Sequence, residues 1–253
     1  MEAIEKTSER IGSCRSLTVL TGAGISAESG IPTFRDAQEG LWSRYNPQEL
    51  ATREGFRANP RLVWEWYTYR RDLVKKASPN QGHISLARLE NIIANFSLIT
   101  QNIDGLHLQA GSKNIIELHG NIHRNKCFDE DRVMESWDES TIPPRCSCGS
   151  YIRPDVVWFG EPLPEGAIKE AKRLSREAEV MMVVGTSGLV QPAASLPFIA
   201  LDGGAWVVEI NPQPTPLSEQ AHAYIAGKAG IVLKEITDRV EEIRRHSSRQ
   251  DWT

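Results

Sequence analysis

Gly22, Gly24 and Ala27 fall in the segment TGAGISA with the spacing G-x-G-x-x-A. Between a strand and a helix, that spacing lets backbone approach a pyrophosphate and turns free N–H groups toward its charge. Alone the pattern is weak, because a tight strand-to-helix turn without a ligand can show it. The turn is expected to open a helix with Ser26 near its N-cap. Cys127, Cys146 and Cys148 are grouped, while Cys14 stands apart. In a chain this long, four cysteines do not suggest a disulfide scaffold. Six histidines are present, and imidazole is the side chain that titrates near neutrality. His119 stands between the strand-like IIEL and Gly120, a loop position able to present a ring to a cleft. Proximity alone does not separate it from His107 and His123.

Tyr67 and Arg70, in WEWYTYRR, are three residues apart and share one face of an expected helix. A guanidinium fork pairs bidentately with a carboxylate, and a phenol adds a directional hydrogen bond. The same two residues could instead pack and solvate an amphipathic helix, with Arg71 taking the outward role.

Short apolar or β-branched runs must carry these groups. Ser16–Thr21, Phe96–Thr100, Ile115–Leu118, Val180–Val184 and Ala205–Ile210 read as strands covered on both faces. Arg61–Lys76, Ile84–Ala94, Gly166–Ala178 and Leu233–Arg245 read as helices from their apolar spacing. The alternation predicts an α/β fold, a Rossmann-type doubly wound parallel sheet with a smaller inserted lobe. Residues 1–33, 81–121 and 154–253 would form the large domain. Residues 34–80 read as a helical excursion without strands, and 122–153 as a polar, cysteine-bearing insertion. The tail from His246 is expected to fray.

The 253 residues hold 29 Lys plus Arg against 33 Asp plus Glu, a net charge of -4. That balance disfavours direct nucleic-acid binding. No apolar run approaches the roughly 20 residues of a membrane span, and the first residues lack a secretory h-region. A cytoplasmic home is the simplest expectation. After the glycine turn, a nicotinamide dehydrogenase would run into a second strand carrying an acid about 20 residues on. Here Ser29–Asp36 reads as turn and loop with an aromatic ring and a guanidinium, suited to a flap over a nucleotide. Simple hydride transfer is therefore disfavoured.

Together the motifs GAGISAESGIPTFRD, TQNIDGLH, LHGN, VVWFGE, GTS and INP resemble the sirtuins, NAD-dependent protein deacylases, in the family's order over most of the chain. The resemblance implies a Rossmann-type domain, a small lobe with a zinc ribbon, and a substrate cleft between them. By motif, Gly22, Ala23, Gly24 and Ser26 would line the phosphate site, with Phe34 and Arg35 on the flap. Gln101, Asn102 and Asp104 would face the nicotinamide and its ribose. Gly185, Thr186, Ser187, Asn211 and Pro212 would lie at the carboxyl edge of the sheet, and Ala229 would make a last adenine contact. Thr186 and Asn211 could instead cap helices or turns.

The family pattern selects His119 as general base, with Asn102 and Asp104 positioning the ribose and nicotinamide. NAD would lose nicotinamide as the acyl-lysine oxygen attacks its anomeric carbon. His119 would then help deprotonate a ribose hydroxyl, giving free lysine and 2′-O-acyl-ADP-ribose. The Tyr67/Arg70 pair looks like the Tyr-x-x-Arg of class III sirtuins, which prefer succinyl, malonyl or glutaryl lysine; acetyl turnover could persist as a weaker activity. Ala51 matches a small pocket residue. Val157, Trp158, Phe159 and Gly160 would pair with the substrate peptide as an added strand. The cysteines depart from the family pattern of two Cys-x-x-Cys pairs. Cys127 lacks a partner thiol three residues on, and Cys146-Ser147-Cys148 is one residue short. Glu130 or Asp129 could complete a weaker structural zinc site, or the lobe could be metal-free and held by packing. A mono-ADP-ribosyltransferase or NAD glycohydrolase, and a nucleotide-sensing binding module, are the alternatives.

Overall fold

A computed structural model describes residues 2–32, 50–137 and 140–250 of the chain. In chain order its elements are α1 (Glu2–Ser13), β1 (Ser16–Thr21), a 3-10 turn over Ala23–Ser29, α2 (Arg53–Ala58), α3 (Pro60–Lys76), α4 (Gln81–Glu90), β2 (Asn95–Thr100), α5 (Leu106–Gln109), β3 (Ile115–Glu117), β4 (Gly120–Cys127) and β5 (Val133–Met134). There follow β6 (Ile152–Val156), α6 (Glu165–Glu177), β7 (Val180–Val184), α7 (Leu196–Asp202), β8 (Trp206–Asn211), β9 (Ala223–Ala226) and α8 (Ala229–Gln250).

Six parallel strands run in the order β3-β2-β1-β7-β8-β9. The order reverses between β1 and β7, and ligands of open α/β sheets bind in the crevice beyond such a switch point. The continuous apolar runs are explained by two cores. In β7, Val180, Met182 and Val184 enter one cluster with Ile11, Leu86 and Leu233. Met181 and Val183 enter the other, with Ala171, Leu196 and Ala200. Successive side chains of a strand point to opposite faces, so a strand with helices on both faces has no polar side.

The inserted lobe carries a second sheet in the order β5-β4-β6, antiparallel throughout. Within the polar, cysteine-bearing insertion, β4 and β6 pair from Gly120–Val156 to Cys127–Ile152. β4 is polar in sequence, and its buried Asn125 accepts a hydrogen bond from Arg71. Helix α3 is fixed at its start by Pro60 and by Asn59, whose Oδ1 accepts from Leu62 N at 3.1 Å. α8 continues to Gln250 where fraying from His246 was expected. No helix among the described residues is long and apolar enough to cross a membrane.

Candidate active site

The turns after β1 and β7 touch at the switch point. Gly22 N donates to Val184 O at 3.0 Å and Gly24 N to Gly185 O at 2.8 Å. A Cβ on Gly22 would lie 2.7 Å from Thr186 Cβ, and one on Gly24 2.8 Å from Gly185 Cα. The glycines of the fingerprint therefore let two loops meet, besides keeping backbone bare for a ligand. The expected N-cap role of Ser26 is not what the chain adopts. The Ala23–Ser29 segment is a 3-10 turn whose N-cap is Gly22, and Ser26 lies within it, buried. Ala23 lies in the same turn.

Ser26 instead joins a buried polar network. Its hydroxyl donates to Asp104 Oδ2 at 2.7 Å and accepts from Asn102 Nδ2 at 3.2 Å. Asn102 Nδ2 also donates to Gly22 O at 3.1 Å. Both amide protons are thus committed, and the group left to a ligand is the acceptor Oδ1. Asp104 Oδ1 accepts from Leu106 N at 2.9 Å, which holds the carboxylate on the loop after β2. Asn80 N, which can only donate, reaches His83 Nδ1 at 3.3 Å. A neutral His83 therefore carries its proton on Nε2, 3.4 Å from Ser26 Oγ. Burial depresses His83 to about 4, so the neutral ring is its state at neutral pH. His107 packs against it, ring centroids 4.8 Å apart, and meets Thr21 Oγ1 at 3.0 Å. Burial, then the neighbouring His83, push His107 down to about 3.

His119 occupies the junction where the chain leaves β3 for the lobe strand β4. Its Nδ1 lies 2.9 Å from Gln101 O, and a carbonyl only accepts, so Nδ1 carries the proton. The bare lone pair is on Nε2. Burial lowers the His119 pKa, opposed by the Gln101 bond, so the ring is a neutral base at neutral pH. Its carbonyl accepts from Val157 N at 2.9 Å. The next residue must be glycine, since Gly120 has φ +78° and a Cβ there would lie 2.1 Å from Asp155 O.

The remaining NAD-site candidates are linked across the sheet edge. Gln101 Nε2 donates to Thr186 Oγ1 at 3.0 Å, and Asn211 Nδ2 to Thr186 O at 2.9 Å. Thr186 and Asn211 thus tie the loops after β2, β7 and β8 together. Ser187 is half-buried beside Thr186, and Pro212 is exposed after Asn211. Ala229 is buried at the start of α8, where Gly230 N donates to Glu28 Oε2 at 2.7 Å. Phe34 and Arg35 lie outside the described residues.

Arg70 and Arg71 go separate ways. Arg71 Nε donates to Ile122 O at 2.7 Å and its Nη2 to Asn125, clamping α3 onto β4. The outward role left open for Arg71 is therefore not the one it takes. Arg70 lies over the Trp66 ring at 5.1 Å and interacts with Tyr67 and the Asp104 carboxylate. Burial pulls the Arg70 pKa below its usual value, partly offset by those two groups. Ala51, Tyr67 and Trp158 share one apolar cluster. Phe159 N donates to Ala51 O at 2.9 Å, bringing the α2 entrance beside the loop after β6. The amides of Val157 and Phe159 are thus spent internally, and Trp158 is 2% exposed. Phe159 and Gly160 are exposed.

The three grouped cysteines converge. One ligand atom from each of Cys127, Glu130, Cys146 and Cys148 lies within 4.8 Å of the others, and Cys127 Sγ and Cys148 Sγ are 3.5 Å apart. Glu130, not Asp129, stands where a fourth ligand is needed.

The Sir2 family model matches residues 22–192. This chain belongs to the Sir2 family. A relative from Aquifex aeolicus, named NAD-dependent protein deacylase, is 53% identical over 90% of this chain and 96% of its own. One of the same name from Pyrococcus furiosus is 52% identical over 90% and 92%. A solved Sir2 homologue in complex with NAD superposes with a TM-score of 0.88, at 46% identity over 94% of each chain. Another, Sir2Af2 bound to a myristoylated histone peptide, gives 0.78 at 36% identity over 97% of this chain and 99% of that one.

Sequence reasoning does not single out every residue of this Sir2 site. His83 and His107 form the floor of the Ser26–Asp104 network, though His107 stands in the quoted TQNIDGLH. Arg153, fully buried, pairs with Glu161 through Nη1–Oε1 at 2.5 Å and Nη2–Oε2 at 2.9 Å. Glu161 closes VVWFGE, but nothing in the polar stretch around Arg153 marks it as a partner.

Proposed function

We propose that this Sir2-family chain is an NAD-dependent protein-lysine deacylase that favours acidic acyl groups, succinyl, malonyl or glutaryl, over acetyl. The observation that carries the deacylase reading is His119, tautomer-locked by Gln101 O with Nε2 bare. A nucleotide-sensing module would need no such base. NAD supplies an anomeric carbon that becomes electrophilic as nicotinamide leaves. The chain's own residues then orient and move protons. Asn102 offers Oδ1 as an acceptor, Asp104 is held rigid by Ser26 and Leu106 N, and His119 Nε2 takes a ribose hydroxyl proton. Such preorganisation matters because small misplacements cost large factors in rate. The 2′-oxygen bonds to the acyl carbon as the lysine C–N bond breaks, and one water is consumed, so the products are free lysine, nicotinamide and 2′-O-acyl-ADP-ribose.

The acidic-acyl preference is supported by Tyr67, which clusters with Ala51, and by Arg70 beside it, a donor pair suited to a carboxylate. Exposed Phe159 and Gly160 offer a surface for the acylated peptide. Three thiolates and the Glu130 carboxylate suit a tetrahedral Zn2+, whose role would be to hold the lobe.

Mass spectrometry after incubation with NAD and a panel of acyl-lysine peptides tests the reading. The expected result is stoichiometric nicotinamide and 2′-O-acyl-ADP-ribose, with succinyl turned over faster than acetyl and the gap closed by Arg70→Met. ADP-ribose appearing on protein without acyl loss would instead make the chain a mono-ADP-ribosyltransferase. NAD consumed without either change would make it a glycohydrolase.

A further inference from the structure

The structure assigns to Trp158 the task of aiming the Tyr67 hydroxyl proton at the acyl group, which makes the indole N–H a determinant of acidic-acyl preference. This assignment rests on the acidic-acyl reading above and names a residue that acts through Tyr67. Trp158 Nε1 lies 2.9 Å from Tyr67 Oη. An indole N–H can only donate, so the phenol oxygen is the acceptor in that bond. A phenol has one proton, held close to the plane of its ring. With one side of the oxygen taken by Trp158, the proton is turned to the other side. Tyr67 therefore stands as a donor toward whatever shares its pocket.

Two features keep it in that state. Tyr67 is 2% exposed, and burial raises its pKa, so the phenol stays protonated. The indole is held between two neighbours and its backbone by a third. Arg153 Cζ lies 3.3 Å from the Trp158 ring centroid, Phe56 packs at 5.3 Å between centroids, and the Trp158 backbone N donates to Glu161 Oε2 at 2.8 Å. A buried indole N–H needs an acceptor, and the acceptor here is the phenol oxygen of Tyr67. Arg70 lies one turn from Tyr67 on the same helix face, and a guanidinium is also a donor without acceptor capacity. A pocket offering two donors selects a group with two acceptor oxygens, a carboxylate. An uncharged acetyl methyl takes neither.

The test is the ratio of kcat/KM for succinyl- over acetyl-lysine peptide in wild type, Trp158→Phe, Trp158→His, Tyr67→Phe and the Trp158→Phe/Tyr67→Phe pair. Phe keeps a ring but removes the donor, and the ratio is expected to fall about tenfold, in KM more than kcat. His returns an N–H and should recover part of the ratio. The double variant should show the ratio of Tyr67→Phe alone, because the indole acts only through the hydroxyl it orients. A ratio unmoved by Trp158→Phe, or one lowered equally in both Tyr67 backgrounds, overturns the assignment while leaving the acidic-acyl reading standing. A wild type with no preference for succinyl removes that reading and this assignment with it. If the Trp158 variants do not fold, the Trp158 indole proton resonance decides. It must shift between wild type and Tyr67→Phe, and again when a succinyl peptide binds; an unmoved resonance overturns the assignment.

Discussion

Arg153 and Glu161 form a two-pronged ion pair whose Arg side chain has no solvent exposure and whose Glu side chain retains 10%. Glu161 Oε2 also accepts from Trp158 N, and Oε1 from Arg53 Nη1 at 3.3 Å. One carboxylate thus joins the returning lobe strand, the α2 entrance and the loop after β6. Burial alone would raise its pKa. The Arg153 bonds and charge prevail and hold it below the usual carboxylate range.

Removing one partner of such a pair leaves the other charge buried. Glu161→Gln is expected to cost about 3–5 kcal/mol in urea unfolding, and an apolar double replacement, Arg153→Met with Glu161→Leu, distinctly less. The pair also sets an acid limit. Because the folded pKa of Glu161 is depressed, its stabilisation is full above the unfolded value near 4.3 and is lost as pH falls through the folded one. Unfolding midpoints of wild type and Glu161→Gln should therefore converge as pH drops below about 4. Parallel curves down to the acid limit would count against the ionic contribution.

His119 must be neutral to accept a proton. With its pKa lowered by burial, kcat/KM should be flat through neutral pH and fall only on the acid side, with an apparent pKa below 6.5. His119→Ala should reduce kcat by about 10²–10⁴ across the range and abolish that limb. A profile centred above 6.5, or one unchanged in the variant, would assign the base elsewhere.

His83 and His107 give acid sensitivity of a different kind. Their folded pKa values, about 4 and about 3, lie below the unfolded value near 6.5. Between these limits the unfolded chain binds protons that the folded chain does not, so stability falls as pH is lowered. Each histidine contributes up to about 1.4 kcal/mol per pH unit in that window. Urea titrations at pH 7, 6 and 5 should show this slope, and His107→Asn should flatten it by one proton's share. A slope identical in both proteins would mean that His107 is protonated in the folded state.

The parts of the fold that can be read from residue order are those in which every position has the same fate. Val180–Val184 is legible because both of its faces enter cores. Helix α1 is not, because its buried stripe includes Thr7 and Ser8, whose hydroxyls donate to Ala3 O and Ile4 O one turn back. β4 hides for the same reason, its buried Asn125 being matched by Arg71 from a distant helix. At the site, motif order selects His119, but its tautomer depends on Gln101 O, 18 residues earlier. Trp158 reads as part of a peptide-binding strand. Only tertiary packing reveals that its indole reaches back 91 residues to Tyr67.

The cysteine cluster makes the last prediction. Zn–S bonds near 2.3 Å place tetrahedral sulfurs about 3.8 Å apart, and Cys127 and Cys148 already lie at 3.5 Å. Purified protein is expected to carry one zinc per chain by elemental analysis, and to lose thermal stability when a chelator removes it. Because thiolate is the softer ligand, Glu130→Cys should raise the chelator concentration needed, whereas Glu130→Ala should lower it. Asp129→Ala should leave it unchanged, since Glu130 is the carboxylate grouped with the three sulfurs. A lobe that melts identically with and without chelator, in protein that holds no metal, would mean that Cys127, Cys146 and Ile152 carry it by packing alone.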